Sequence, residues 1–325
     1  MNVTDIPVIA EVIRSGFPES RHHGSAVVLG ADGQEVLFSV GETAAAMFPR
    51  SSNKPVQAAA MRSLGLELDG ELLALAAASH SGEDFHVTGV RKILASAGLT
   101  EDALQCPPAL PLDEDAMRHF LREGGSPDRV HMNCSGKHAA MLATCVSAGW
   151  ATDSYRDPTH PLQREIKAKL EQLSDEKAAA TGVDGCGAPL FAISLTGLAR
   201  AFGSLVLAAA DSAERTVADA IRAHPEWTSG TARSERALMQ AVPGLLVKSG
   251  AEGVQALALA DGRAAAVKIE DGAARAVPAV TVAMLRVLDV AGADQDALDQ
   301  IADVPVFGGG QVVGQIQATL PPDWL

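Results

Sequence analysis

Two hydrophobic rhythms divide the chain, and their order restricts what it can fold into. Short runs with strand character lie at both ends, and helix-period runs fill the middle. At the start, Pro7–Ile13, Gly24–Leu29 and Glu35–Val40 read as strands, the last two joined as a hairpin by the Asp32-Gly33 turn. At the far end, Leu245–Val247, Gln255–Ala260, Ala264–Ile269 and Gln311–Ala318 do the same, and Asp261-Gly262-Arg263 turns between the middle two. Helix period governs Pro55–Leu64, Glu71–Ala78, His86–Ala97, Asp113–Glu123, Pro161–Leu173, Ser212–Ala223, Thr231–Ala241 and Val277–Val290. Phe191–Ala209, broken only by Arg200, reads as one buried helix. Strands at both ends around a helical middle predict an α+β fold, with an antiparallel sheet built from both termini. The helical region spans roughly 55–242. No composition break follows the Pro107-Pro108-Ala109-Leu110-Pro111 segment, so residues 1–325 read as a single domain.

Composition narrows the partners. The net charge is −14, which argues against nucleic acid and anionic membrane but leaves room for an anionic substrate in a local cationic pocket. With 47% hydrophobic and only 4% aromatic residues, the core is aliphatic. Met1–Pro7 lacks a basic start followed by an apolar stretch, so the expected compartment is the cytoplasm. There, Cys106, Cys134, Cys145 and Cys186 are thiols or metal ligands more often than disulfides.

The chemistry concentrates in a few stretches. Phe48–Gln57 joins a strand-like run to a helical one, and Ser51 and Lys54 stand three apart, on one face of a helical first turn. A serine needs a base, and a lysine serves when it is neutral. The positive end of a helix and burial both favour the neutral amine. The spacing alone is weak evidence, because Ser174-x-x-Lys177 repeats it in a solvated segment. In Asn133-Cys134-Ser135-Gly136-Lys137-His138, Cys134, Lys137 and His138 fall on one helical turn. A cysteine there, beside a lysine, is expected to ionise easily and to make a good ligand or nucleophile. Cys186 lies between glycines in Asp184-Gly185-Cys186-Gly187, where the backbone turns tightly. Ser79-His80-Ser81-Gly82 closes a helix. Lys268 interrupts an apolar strand, which places that strand at a sheet edge or the lysine in a site.

Taken together, these blocks resemble the rhizobial-type, or class 3, L-asparaginases of the asparaginase II family. The resemblance rests on Glu19-Ser20-Arg21-His22, Arg50 to Pro55, Ala78 to Ser81, Asn133 to His138, Asp184-Gly185-Cys186 and Val267 to Gly272, in that order. It implies hydrolysis of L-asparagine to L-aspartate and ammonia, a fold similar to serine β-lactamases and glutaminases, and a homodimer. By motif it pairs Ser51 with Lys54 and Ser79 with Lys268 as catalytic residues. It matches Cys134, Lys137 and Cys186 to zinc ligands, and Arg50, His80, His138 and Asp184 to the substrate pocket. Val183 departs from the pattern, which has a hydroxyl residue there. Between the serines, Ser51 is the preferred nucleophile, since it starts a helix while Ser79 ends one. Lys54 then acts as base, and Ser79 with Lys268 either relays the proton or is itself the nucleophilic pair. Two alternatives remain. One is a serine acyl-transferase of the penicillin-recognising type, which would carry Lys-Thr-Gly where Lys268-Ile269-Glu270 stands. The other is a non-catalytic zinc- or amino-acid-binding module, which would need neither Ser-Lys pair.

Overall fold

A computed structural model describes residues 6–319; the first five residues, read above for a leader, lie outside it. In chain order the strands are β1 (Val8–Arg14), β2 (Phe17–Leu29), β3 (Val36–Val40), β4 (Ala46–Met47), β5 (Ala180–Val183), β6 (Pro189–Ser194), β7 (Leu246–Gly250), β8 (Val254–Ala258), β9 (Ala264–Ile269), β10 (Val304–Gly308) and β11 (Gln311–Ala318). The helices are α1 (Lys54–Ser63), α2 (Gly70–Ala76), α3 (Asp84–Ser96), α4 (Glu114–Arg122), α5 (Ser135–Ser147), α6 (Pro161–Ser174), α7 (Leu195–Leu207), α8 (Ala213–Ala223), α9 (Pro225–Thr228), α10 (Ser234–Ala241), α11 (Val277–Val287) and α12 (Gln295–Ala302).

The chain packs as two compact units. Of the described residues, the first takes 6–52, 193–207 and 237–319, and the second takes 53–192 and 208–236. The first holds the antiparallel sheet built from both ends of the chain, in the order β10-β11-β1-β2-β9-β8-β7, with β3 on the far half of β2. The sheet's centre is buried on both faces, which is why β8 and β9 read as continuous apolar runs rather than alternating ones. Helix α7 packs on β2, β8 and β9, and α11 on β1, β8, β9 and β11. The second unit is helical. Helix α1 packs against α5, α6 and α8, and α2 against α3, α5, α8 and α9.

Three expectations are corrected. Phe191–Ala209 is not one helix, because its first residues complete β6, where Leu190 and Phe191 pair with Gly182 and Thr181 of β5. An apolar run offers no period to tell strand from helix, and the strand-compatible Phe191 and Ile193 tip the start toward sheet. The polar segment 19–24, whose composition reads as a loop or strand edge, is part of β2, which is 13 residues long. Lys268 does not lie on an edge strand, since β9 pairs with β2 on one side and β8 on the other. Its side chain escapes the interior by donating to the Glu252 and Ile269 carbonyls, at 2.8 and 2.5 Å. Among the described residues no helix is long and apolar enough to cross a membrane.

Candidate active site

The second unit gathers reactive side chains at three helix ends. Lys54 is the first residue of α1, Ser79 follows the end of α2, and Cys134 caps the start of α5. Gly136 allows this meeting: a Cβ there would stand 2.5 Å from the Leu75 carbonyl, so only glycine lets α5 approach the end of α2 so closely. Lys54 is 1% exposed, and its Nζ lies 2.6 Å from the Ala78 carbonyl, 2.9 Å from Ser79 Oγ and 3.0 Å from Cys134 Sγ. These three neighbours fill the bonding capacity of the amine nitrogen. The Lys54 side chain is therefore matched to Ser79 and not to Ser51, contrary to the pairing expected from the sequence. The reason is direction: the lysine stem runs from the first turn of α1 across to the loop after α2.

The carbonyl can only accept and takes one N–H. Cys134 can accept a second. The contact with Ser79 can then run either way, with Lys54 donating as an ammonium or accepting the hydroxyl proton as an amine.

A second buried lysine stands three residues into α5. Lys137 is also 1% exposed, and its Nζ is 3.1 Å from Cys186 Sγ. Burial works against its ammonium, but the Cys186 and Cys134 sulfurs beside it hold its pKa above the usual lysine range. The two sulfurs divide the proton unevenly. Their mutual hydrogen bond and burial push Cys134 well up, while the same bond, with Lys137 and His138 beside it, pulls Cys186 far below the usual thiol range. The readily ionised cysteine is Cys186, not the Cys134 expected from its place at a helix start. Charged neighbours outweigh that helix end. Asn133 Oδ1, at 3.0 Å from Cys134 Sγ, offers its proton another acceptor.

Cys186 sits in the tight turn 184–188, closed by Asp184 N–H to the Ala188 carbonyl at 2.9 Å and Gly187 N–H to the Asp184 carbonyl at 2.8 Å. Asp184 Oδ1 accepts from Gly185 N–H, and Oδ2 lies 3.8 Å from Cys186 Sγ. Val183, the departure from the family pattern, is 78% exposed in β5.

The two histidines expected at a substrate pocket are both fully buried. His80 accepts from Gly82 N–H at Nδ1 and bonds Ser135 Oγ through Nε2 at 2.9 Å. Burial, then the neighbouring His86, Lys54 and His131, hold it well below the usual histidine range. His138 bonds the Tyr155 hydroxyl through Nδ1 at 2.7 Å, and burial brings it down to about 4. Tyr155 is a residue the sequence reading passed over. Its signal was that the chain's single tyrosine falls in the polar 151–160 loop, yet is completely buried.

The remaining candidates belong to the first unit. Ser51 lies in the 3-10 turn Arg50–Asn53, whose Arg50 adopts a left-handed φ of 52°. Gly250 makes room for this turn, since a Cβ there would approach the Pro49 carbonyl to 2.7 Å. The Arg50 guanidinium stands 3.6 Å from the Glu252 carboxylate. Burial pulls Lys268 below the usual lysine range, against the pull of Glu270, Glu252 and Asp271.

The L-asparaginase II family model matches residues 10–318. The chain belongs to the L-asparaginase II family. That membership supports an amidohydrolase activity. No curated protein matches it. Among solved structures it is similar to a protein named Mglu, at 11% identity and TM-score 0.43, over 86% of this chain and 62% of that one, so it spans about three-fifths of that protein's length. It is also similar to a putative β-lactamase from Bacteroides dorei, at 16% identity and TM-score 0.43, over 81% of this chain and 93% of that one. A β-lactamase from Mycobacterium bovis matches at 14% identity and TM-score 0.37, over 77% and 88% of the two chains.

The donor set around Cys186 suits a soft or borderline metal of the zinc type. Among the described residues no three His, Cys, Asp or Glu side chains stand together as a metal cluster. The set reaches three donors only when the Lys137 amine joins the Cys134 and Cys186 sulfurs. The fit has a second mark: His138, the residue after Lys137, has its Nε2 buried without a hydrogen-bond partner.

Proposed function

We propose that this asparaginase II family member hydrolyses L-asparagine to L-aspartate and ammonia by serine acyl transfer, beside a zinc ion held by Cys134, Lys137 and Cys186. The observation that carries the reading is Lys54 Nζ at 2.9 Å from Ser79 Oγ, with the other two neighbours of that nitrogen a carbonyl and a thiol. A nucleophile within reach of a base, and the base held by further groups, is the arrangement that acyl transfer requires.

In this reading Lys54 reacts as the amine. Its two N–H bonds go to the Ala78 carbonyl and Cys134, and its lone pair accepts the Ser79 proton. Ser79 Oγ bonds to the amide carbon, the C–N bond breaks, and the new ammonium of Lys54 returns its proton to the departing nitrogen, which leaves as ammonia. Water then splits the ester by the same route in reverse. The Ser79 and His80 N–H groups are committed to the Thr228 and Asn133 carbonyls, so the developing oxyanion is stabilised by other donors. When bound, zinc would supply Lewis acidity toward an amide oxygen. Cys186, as a thiolate, is suited to hold it at once, whereas Lys137 must give up its proton to become a ligand.

Lys268, Arg50 and Asp184 keep the roles that the family resemblance gives them, whereas Ser51 yields the part of nucleophile to Ser79. Ser51 and Lys268 serve in proton transfer, and Arg50 and Asp184 in substrate binding. The working form is a homodimer, and the compartment is the cytoplasm. Glutamine is a poor substrate, because one added methylene displaces the carbonyl from the nucleophile.

The test is ammonia release from L-asparagine, L-glutamine and a β-lactam by wild type, Ser79→Ala and Ser51→Ala, with peptide mapping of any trapped acyl-enzyme. The expected result is turnover of asparagine, an acyl group on the Ser79 peptide and loss of turnover in Ser79→Ala. An acyl group on the Ser51 peptide, with Ser79→Ala still active, reverses the assignment of the nucleophile. Equal specificity constants for asparagine and glutamine sink the substrate assignment.

A further inference from the structure

The first unit holds a cleft of about 260 Å³ beside Lys268, lined by residues of β2, β4, β9 and the start of α7. Ser25, Lys268, Glu42 and Glu270 supply its polar groups, and Met47 and Leu195 an apolar floor. The volume falls just under the range of about 300–1,000 Å³ for drug-sized molecules, which suits a ligand the size of a small metabolite.

Two donors converge there. Ser25 and Lys268 are direct partners across β2 and β9, so their side chains share one face of the sheet, with Cβ atoms about 4.5–5.5 Å apart. Ser25 is 4% exposed. Its Oγ accepts the Glu42 N–H at 2.8 Å, and among the described residues nothing takes the hydroxyl's own hydrogen. Gly41 makes that bond possible, since it turns at φ +72° and a Cβ there would stand 2.5 Å from Ser25 Oγ. The Lys268 ammonium has three N–H groups, of which the Glu252 and Ile269 carbonyls take two. One hydroxyl and one ammonium N–H, from neighbouring strands, are left to give. Such a pair matches the two oxygens of one carboxylate. Burial works against the charge on Lys268, and an arriving carboxylate offsets that cost.

The opposite charge comes from Glu42 and Glu270, whose backbones are tied close to the donors. Glu42 N–H goes to Ser25, and Glu270 N–H to the His23 carbonyl at 2.8 Å. A plain carboxylic acid would leave both glutamates without a cation, and a plain amine would leave both donors unspent. We propose that this cleft binds the head of an α-amino acid, with its carboxylate on Ser25 and Lys268 and its ammonium on Glu42 and Glu270. The proposal deepens the reading of the substrate as an amino acid, and rests on it where the bound head is taken to be the substrate's. In this role Lys268 stays an ammonium, so its share in proton transfer is that of a donor. The substrate and a second amino acid carry the same head, and kinetics tells them apart.

The experiment uses the full chain, methyl-labelled at methionine and leucine. The probe is L-norvaline, whose side chain has the length of asparagine's and no bond to hydrolyse. The Met47 and Leu195 methyl signals should shift at millimolar ligand. Pentanoate and butylamine, each lacking one charge of the head, should bind about tenfold more weakly. Ser25→Ala should shrink the advantage of norvaline over butylamine, and the double variant Glu42→Gln/Glu270→Gln its advantage over pentanoate. The same methyl spectra report folding, and the glutamine variant carries the test if Ser25→Ala, which also frees the Glu42 N–H, fails to fold. Silent Met47 and Leu195 methyls overturn the proposal, as do ratios unchanged from wild type in the variants. Turnover of L-asparagine by the glutamine variant then says whose head is bound. A raised KM with kcat kept makes it the substrate's, and an unchanged KM with norvaline binding lost makes it a second amino acid's. A chain that binds norvaline in the cleft yet releases no ammonia from asparagine overturns the proposed activity and leaves the cleft standing. Turnover with a silent cleft overturns the cleft alone.

Discussion

Lys54 and Lys137 make a natural comparison. Both are 1% exposed, both lie in the first turn of a helix, and both end beside a cysteine sulfur. Their surroundings nevertheless ask for opposite things. Lys54 meets a carbonyl, a hydroxyl and a thiol that keeps its proton, so nothing near its nitrogen carries negative charge. Lys137 meets a sulfur that gives its proton up. A buried lysine among neutral acceptors can work as a base, and a buried lysine against a thiolate is first a counter-ion. Depth and helix position do not set the role; the charge of the contact atom does.

The largest expected effect breaks the pair on the Lys54 side. Lys54→Met should lower kcat on asparagine by about 10⁴-fold while leaving the melting temperature unchanged or raised, since a buried amine gives way to a methionine of similar shape. Lys54→Arg should be equally inactive, because arginine keeps its proton. Activity of the arginine variant within tenfold of wild type would remove Lys54 as the base.

On the other side, Lys137→Met should leave activity loss and instability together. The Cys186 thiolate loses its cation, and breaking a buried ion pair costs about 3–5 kcal/mol, read from the urea midpoint of the metal-free protein. A variant as stable as wild type would show that Lys137 and Cys186 are not an ion pair.

A smaller effect concerns the rings near Lys54. His86 stacks on His80 with ring centroids 5.1 Å apart, and burial brings His86 down to about 4 from 6.5. The unfolded chain therefore takes a proton there before the folded one does. Stability is fully present above pH 6.5 and falls as the pH drops from 6.5 toward 4, by about 3 kcal/mol for this one group. His86→Phe should flatten the urea-midpoint profile in that window relative to wild type. An unchanged slope would place the acid sensitivity elsewhere.

The smallest effect belongs to the bystander cysteine. Burial pushes Cys145 up to about 11, so it remains a thiol. Cys145→Ala should keep its zinc and lose only about 1–2 kcal/mol to the small cavity. Loss of metal would enlarge the site.

The contrast between the lysines also marks how far the sequence could be read. Helix period and motif spacing placed Cys134, Lys137 and His138 on one turn, and the strand runs at both ends gave the sheet. What spacing could not supply is the far end of each side chain. Ser51 and Lys54 are three apart, yet Lys54 reaches Ser79, because contact is decided by the packing of α5 on the end of α2 through Gly136. Cys134 looked the more acidic thiol, because the lysine nearest in sequence was visible and the mutual contact of the two sulfurs was not. Tyr155 escaped because its partners, Gln105 and His138, lie 50 and 17 residues back along the chain, beyond the reach of any local spacing. Strand β10 and helix α12 were missed because Pro305 and the run of acidic residues before it masked their periods.

The sheet pairing sets a timetable for synthesis. Strand β1 pairs on one side with β2, which follows it at once, and on the other with β11, so that Ala10 finds Ala318. The β1–β2 hairpin leaves a ribosome before β11, which follows roughly 300 residues later. At bacterial-to-eukaryotic elongation speeds that interval is roughly 15–60 seconds. Throughout it, one edge of β1 offers unpaired N–H and C=O groups, and until β9 emerges so does the Gly24–Leu29 edge of β2 that will pair with it. A nascent chain in this state is a template for pairing with its neighbours on the same message. Holding β1 and β2 apart from other nascent copies until the last strand arrives is therefore a requirement of making this protein, and slower translation lengthens the exposure.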